Sequence, residues 1–166
     1  LDVRVRSSVE SIDRAGKKVR VRDLASGREY EEPYDKLILA PGAAPLRPPV
    51  PGIELPGIFT LRNLQDVDRI KERVDNGVKQ VVVVGAGFIG LELVENFVKL
   101  GIATTVVERQ DQVLPPFDKE MTTPIVEVLL AKGVTLLLGQ SADGFDAAPD
   151  GLVVRLKSGQ HLPAQL

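Results

Sequence analysis

The chain has 166 residues, of which 43% are hydrophobic and 27% are charged, and its formal net charge is −2 at pH 7. This ordinary globular composition contains no basic run, which argues against nucleic acid and anionic membrane surfaces as partners. No apolar stretch approaches the length of a membrane span. The absence of cysteine excludes disulfides and thiolate chemistry, and the single histidine, His161, argues against a histidine zinc site or a catalytic triad.

The first forty residues carry the patterns of strands. Hydrophobic residues alternate with polar ones over 3–9 and again over 19–22, and residues 28–32 can return as a third strand. Glycine-containing turns separate these runs, which predicts a small antiparallel meander. Residues 36–40 then form a continuous apolar run, which predicts a further strand that ends at Pro41-Gly42.

Residues 41–57 are rich in proline, with six of the twelve prolines of the chain. Proline lacks a backbone N–H and restricts the residue before it, so this stretch fits neither a helix nor a central strand. We therefore expect an ordered, extended crossover between two domains.

Beyond the crossover, helices alternate with strands. We predict three helices. The first begins after Asn63 and ends at Asn76-Gly77, and the second covers 88–100. The third covers 119–132, although Pro124 moves its expected start toward Thr122 or Thr123. The residues expected to face the core are Leu64, Val67, Ile70, Val74, Ile89, Leu93, Phe97, Leu100, Met121, Ile125, Val128 and Leu129.

The strands predicted between these helices cover 81–84, 104–108 and 134–138. Strands that alternate with helices predict a parallel sheet with right-handed crossovers. The turn dipeptides Asp150-Gly151 and Ser158-Gly159 then predict hairpins on either side of a strand over 152–156.

A glycine motif in this part of the chain predicts a binding site for a pyrophosphate. Directly after the strand over 81–84, the sequence reads G-x-G-x-x-G and opens a helix, which is the context that makes this spacing informative. The first glycine permits a tight turn, the second lets the backbone approach a pyrophosphate, and the third lets the helix pack against the strand. The helix N-terminus adds unpaired N–H groups for the phosphates. The residues predicted to hold the pyrophosphate are Gly85, Ala86, Gly87, Phe88, Ile89 and Gly90.

The next strand ends at Glu108, 18 residues after Gly90. An acidic residue about 20 residues after the motif hydrogen-bonds the adenosine ribose of NAD(H), and a carboxylate repels the 2′-phosphate of NADP(H). We therefore expect NAD(H) to be preferred, although Arg109 could accommodate a 2′-phosphate. Two alternatives stay open: the glycines could merely form a tight turn, or the site could bind S-adenosylmethionine, although the three-glycine spacing favours a dinucleotide.

Several segments together resemble the FAD-dependent pyridine nucleotide-disulfide oxidoreductases, in particular the NADH oxidase, NADH peroxidase and coenzyme A-disulfide reductase type. They are the segment over 34–43, the proline-rich crossover, the segment over 57–62 and the segment over 84–92, in the order that this family has. The resemblance implies a larger protein in which an NAD(P)H domain is inserted into an FAD domain and a dimerisation domain follows. It also places Glu92 near the nicotinamide, where the alternative is a helix-surface carboxylate.

On this resemblance, residues 1–48 correspond to a partial FAD domain, namely its β-meander and closing strand. Residues 49–166 correspond to the NAD(P)H-binding domain with its C-terminal strand truncated. The turn that reads Ala40-Pro41-Gly42 has proline where the family has threonine. The expected fold is therefore α/β: a Rossmann-like three-layer domain with a parallel sheet and an antiparallel β-meander, preceded by a β-rich remnant of the FAD domain.

The function implied by the resemblance is that of the NAD(H)-binding portion of a flavin-dependent enzyme. The parent protein would pass hydride from NADH to FAD and on to a disulfide, peroxide or oxygen, as a cytoplasmic homodimer. The fragment itself is expected to bind NADH without catalysing a reaction, because the redox cysteine and the FAD glycine motif are absent from this sequence. A non-enzymatic nucleotide-sensing or assembly module with the same fold is the alternative.

Overall fold

A computed structural model describes residues 2–166. The chain forms two compact units, one ending at Ala43 and the other comprising residues Ala44–Leu166. The first unit is an antiparallel sheet of β1 (Ser7–Asp13), β2 (Lys18–Asp23) and β3 (Glu29–Pro33), with β2 in the middle. Val19 and Val21 of β2 are its buried hydrophobic residues. The predicted meander is confirmed.

The start of the first strand was predicted too early. Arg6 has a positive φ of 56°, which turns the chain immediately before β1. Val3 and Val5 therefore lie outside the sheet and are exposed, whereas Val9 lies in β1 opposite Val21. Alternation of apolar and charged residues did not by itself reveal where pairing begins.

The strand predicted over 36–40 is wrong. This segment pairs with no strand of residues 2–166, and Ile38 is 89% exposed. An apolar run becomes a strand only where a partner edge accepts its backbone hydrogen bonds. The apolar run is typical of a buried strand, but no strand among residues 2–166 pairs with it.

The second unit contains a parallel sheet and three helices. The strands β4 (Gln80–Val84), β5 (Ala103–Val107) and β6 (Thr135–Leu137) lie in that order. The helices α1 (Leu64–Asp75), α2 (Phe88–Lys99) and α3 (Lys119–Ala131) precede or connect these strands. The largest fully buried side chains of the core between sheet and helices are Val81, Val94, Val106 and Val113. The predicted α/β class with a parallel sheet is confirmed.

An antiparallel sheet follows the parallel one. It consists of β7 (Ala142–Ala148), β8 (Gly151–Leu156) and β9 (His161–Ala164), in the order β7-β8-β9, and both predicted hairpin turns are confirmed. Its apolar face packs on part of the proline-rich crossover, which contributes Val50, Ile53 and Leu55 to a second core, and on the adjacent Ile58. The crossover is fixed to β7 by the Phe145 N–H, which donates to the Pro51 carbonyl at 2.8 Å. The last residues run beside β4, where the Gln165 N–H donates to Gln80.

The helix faces differ in part from prediction. Ile70 and Phe97 are buried, and Val74, Leu93, Ile125 and Leu129 are partly buried in the core, as expected. The predicted core residues that are instead exposed are Leu64, Val67, Ile89, Leu100, Met121 and Val128. In α2 the reason is that Gly90 must face β4, which brings Val94 and Phe97 inward and rotates Ile89 outward.

Helix α3 begins at Lys119, as in the predicted range over 119–132, and it contains Pro124. The later start near Thr122 or Thr123, which Pro124 suggested, is wrong. The hydroxyl groups of Thr122 and Thr123 both donate to the Lys119 carbonyl, at 2.9 and 3.4 Å, and support the first turn. Thr122 is buried, and this hydrogen bond gives its hydroxyl group an acceptor.

Asn63 caps α1 as predicted. Its side-chain oxygen accepts from the Asp66 N–H at 3.0 Å, and the Asp66 carboxylate accepts from the N–H groups of Asn63 and Arg62. A hydrogen-bonded ion pair with Arg69 holds the pKa of Asp66 below its usual value, and these N–H bonds act in the same direction. The capping box thus satisfies N–H groups that the helix itself leaves free.

Replacement of this cap tests its contribution. We expect Asn63→Ala to lower the free energy of unfolding by about 1 kcal/mol, because the Asp66 N–H loses its acceptor. Gln65→Ala, at an exposed position two residues into the same helix, is the matched control and should change stability by less than about 0.5 kcal/mol. Urea unfolding of the three proteins provides the comparison. Equal stability of Asn63→Ala and Gln65→Ala would contradict this role.

Candidate functional site

The glycine motif lies at the junction of β4 and α2. Gly85 and Gly87 lie in the turn between the two elements, the glycine turn, and Gly90 lies in the first turn of α2. Gly85 has φ +107°, a conformation that residues with a side chain rarely adopt. Gly87 is the N-cap residue of α2 and offers no side-chain cap, and no acidic residue lies in the first turn of this helix. The N–H groups at this helix start and their positive dipole end therefore have no acidic or capping side chain of this helix as partner.

Gly87 and Gly90 have different surroundings. A Cβ added to Gly87 would meet no protein atom within 4 Å, so the space beside it is open. A Cβ added to Gly90 would lie 2.1 Å from the Gly85 carbonyl oxygen, which is far closer than atoms can approach. The second glycine thus leaves room for a ligand, and the third permits the close contact between helix and turn.

Glu108 follows β5 and reaches the glycine turn. Its Oε2 accepts from the Ala86 N–H at 2.7 Å, and its Oε1 accepts from the Gln110 N–H at 2.8 Å. The residue is only 9% exposed, and yet it lines the cavity described below. The predicted acidic residue and the predicted glycine turn are therefore adjacent in space, although 22 residues separate Ala86 from Glu108.

The loop after β5 holds both backbone groups of Ala86. While the Ala86 N–H donates to Glu108, the Ala86 carbonyl accepts from the Leu114 N–H at 2.9 Å. Leu114 has a positive φ of 48°, an uncommon conformation for a leucine. Ala86 itself is completely buried. Sequence reasoning missed Gln110 and Leu114, because these contacts come from backbone atoms and no side-chain pattern indicates them.

A cavity of about 880 Å³ lies along the glycine turn, within the size range of small-molecule sites. Its lining includes seven of the nine predicted site residues, namely Gly85, Gly87, Phe88, Ile89, Gly90, Glu108 and Arg109. Parts of the crossover and of the antiparallel sheet form its other walls, which are largely apolar.

Two predicted site residues do not line this cavity. Ala86 lies beneath the turn and is buried, so it can act on a ligand only by positioning its neighbours. Glu92 is an exposed residue of α2 outside the cavity lining. Its exposed position is compatible with a helix-surface carboxylate, and its place near the nicotinamide stays a prediction.

Arg109 is exposed at the rim of the cavity. Among residues 2–166 it forms no ion pair, so its guanidinium group is available to an anionic ligand. The same part of the chain contains no cluster of three or more His, Cys, Asp or Glu side chains that could hold a metal ion. No helix in it is long and apolar enough to cross a membrane.

Known proteins are similar to this chain in sequence and fold. An NADH oxidase of Enterococcus faecalis is 36% identical over 155 residues, which are 93% of this chain and 34% of that protein. The crystal structure of reduced CoADR-RHD of Bacillus anthracis is 41% identical with a TM-score of 0.86, over 99% of this chain and 29% of that one.

A third relative has been solved with a dinucleotide. The water-forming NADH oxidase of Lactobacillus brevis bound to NADH is 29% identical with a TM-score of 0.84, and the match covers 96% of this chain and 35% of that one. An engineered mutant of the same enzyme, a water-forming NADPH oxidase bound to NADPH, gives 28% identity and a TM-score of 0.83 over the same shares of both chains.

This chain spans about a third of the length of these relatives. The sequence profile of one family, described as pyridine nucleotide-disulphide oxidoreductase, matches residues 1–166. The Rossmann-type parallel sheet, the glycine turn and the relatives agree with this match. The chain belongs to the pyridine nucleotide-disulphide oxidoreductase family.

Proposed function

We propose that residues 49–166 bind NAD(H), with the pyrophosphate at the glycine turn and the adenosine ribose at Glu108. The observation that carries this proposal is the open space beside Gly87, which lies at the uncapped N-terminus of α2 and inside the cavity. Backbone N–H groups at such a helix start bind phosphate oxygens. The Glu108 carboxylate lines the same cavity and is a strong acceptor for ribose hydroxyl groups.

The choice between NADH and NADPH depends on two adjacent residues. In the engineered NADPH oxidase, an aspartate eighteen residues after a substituted glycine is replaced by alanine, and the next residue, an alanine, is replaced by arginine. Glu108 lies eighteen residues after Gly90, and Arg109 follows it. This chain therefore combines the acidic residue of the NADH form with the arginine of the NADPH form. We expect NADH to bind more tightly and NADPH to bind measurably.

For the whole protein, we propose a flavin-dependent oxidoreductase in which NADH reduces FAD and FAD reduces a disulfide, peroxide or oxygen. The names of the relatives support this class. Residues 1–48 would then be a part of the FAD domain, and the parent would be a homodimer. The sequence contains one G-x-G-x-x-G, and it forms the turn at 85–90, so we assign no flavin-binding role to individual residues of this chain.

Calorimetric titration with NADH and NADPH tests the binding proposal. We expect saturable binding of both dinucleotides, with the lower Kd for NADH. Circular dichroism of the same sample establishes that the chain is folded. A folded chain that binds neither dinucleotide would contradict the proposal, and tighter binding of NADPH would contradict the assigned role of Glu108 in cofactor choice.

Arg109→Ala tests the second residue of the pair. We expect this variant to bind NADPH about three- to tenfold more weakly and NADH with little change, because only NADPH carries the 2′-phosphate that the exposed guanidinium can contact. Arg20→Ala, which removes an exposed arginine of the other unit, is the matched control for the loss of one positive charge. An equal loss of affinity for both dinucleotides would contradict a specific contact with the 2′-phosphate.

A further inference from the structure

We propose that Glu108 is also a positioning residue that holds the glycine turn in its binding conformation through the Ala86 N–H. This inference rests on the proposed dinucleotide binding and adds a second role for the same carboxylate. Its basis is the pair of hydrogen bonds from Ala86 and Gln110, one to each oxygen of Glu108. The carboxylate thereby connects the turn that faces the pyrophosphate with the loop that follows β5.

The surroundings of Ala86 explain why this connection matters. Ala86 lies between Gly85 and Gly87 and is completely buried, and its carbonyl is already bonded to Leu114. Loss of the Glu108 acceptor would leave a buried N–H without a partner, which is costly enough to move the turn. Such a movement would displace the neighbouring Gly87, whose backbone begins α2.

The donors around Glu108 restrict which side chain can take its place. Both partners are backbone N–H groups, so both side-chain oxygens must accept. Glutamine has one oxygen and one NH₂ group, and in this position its NH₂ would face one of the two N–H donors. A carboxylate satisfies both donors and still has lone pairs for ribose hydroxyl groups.

The two roles can be separated with ligands that differ only in the ribose. ADP carries the pyrophosphate and the ribose hydroxyl groups, whereas 2′,3′-dideoxy-ADP keeps the pyrophosphate and lacks both hydroxyl groups. A Glu108 that acts through the ribose alone would leave binding of dideoxy-ADP unchanged in Glu108→Gln, or would tighten it, because the variant removes a negative charge near an anion. A Glu108 that positions the turn would weaken it.

We therefore expect Glu108→Gln to bind dideoxy-ADP about fivefold more weakly than the unchanged chain or worse. Glu127→Gln, which makes the same change on an exposed residue of α3, should bind it as the unchanged chain does. Thermal unfolding establishes that each variant is folded at the titration temperature. Binding of dideoxy-ADP that is unchanged or tighter in a folded Glu108→Gln would overturn the positioning role.

A second readout needs no ligand. Hydrogen exchange of the Ala86 amide, followed by NMR, should be at least about tenfold faster in Glu108→Ala than in Glu127→Ala, because only the first variant removes its acceptor. Equal exchange rates would overturn the inference. If the unchanged chain bound neither NADH nor ADP, the proposed function would fail, and the Ala86 exchange rate would decide the positioning role on its own.

Discussion

Gly87→Ala is expected to leave the fold intact and to lower the affinity for NADH by about tenfold or more. An added Cβ meets no protein atom within 4 Å, and Gly87 has φ −78°, which alanine adopts freely. The methyl group would occupy the space in which the backbone must approach the pyrophosphate. Calorimetric titration measures the affinity, and urea unfolding should show a loss of about 1 kcal/mol or less from the weaker N-cap.

Gly90→Ala is the matched comparison within the same motif. Its Cβ would lie 2.1 Å from the Gly85 carbonyl oxygen, so helix and turn must separate and stability must fall. Gly87→Ala should therefore lose affinity for NADH with little loss of stability. Gly90→Ala should instead lower the free energy of unfolding. A Gly87→Ala variant that binds NADH as tightly as the unchanged chain would contradict the location of the pyrophosphate.

Gly52→Ala is expected to have the largest effect on stability, a loss of about 3 kcal/mol or more. Gly52 has φ +80°, which costs an alanine about 1–2 kcal/mol. The added Cβ would also lie 1.9 Å from the Phe145 carbonyl oxygen, so the crossover must move away from β7. This movement would weaken the neighbouring hydrogen bond from Phe145 to Pro51 and open the second core.

Gly77→Ala separates the cost of the positive φ from the cost of the close contact with Phe145. Gly77 also has a positive φ, of 94°, but an added Cβ there meets no atom within 4 Å. Its loss of stability should therefore be the backbone cost alone, about 1–2 kcal/mol. Urea unfolding of both variants gives the difference. If Gly52→Ala and Gly77→Ala were equally stable, the tight packing of the crossover on β7 would be disproved.

The elements of the second unit were predictable because their signals are local. Continuous valine runs, Asn63 as a cap and the glycine-containing turns each depend on the chemistry of a few neighbouring residues. The buried stripe of α2 was less predictable, since it depends on Gly90 facing β4 and not on hydrophobicity alone. The segment over 36–40 failed for the complementary reason, because a strand requires a partner edge that a local pattern does not reveal.

In the candidate site, too, some features have a sequence signal and others do not. The spacing from Gly90 to Glu108 was sufficient to predict that an acidic residue accompanies the glycine turn. The hydrogen bonds of Glu108 with Ala86 and Gln110 could not be predicted, because backbone N–H groups carry no sequence signal. Leu114 is a further example, since nothing in its side chain indicates the positive φ that brings its N–H to Ala86.

An NMR titration of the ¹⁵N-labelled chain with NADH tests the central claim most directly. The account predicts saturable changes in the amide resonances of Gly87, Phe88 and Ile89, where α2 begins, and of the residues that follow Glu108. Amides of β1 to β3, in the other unit, should remain unchanged. Saturable binding that leaves the amides of the glycine turn unaffected, or no binding at all, would contradict it.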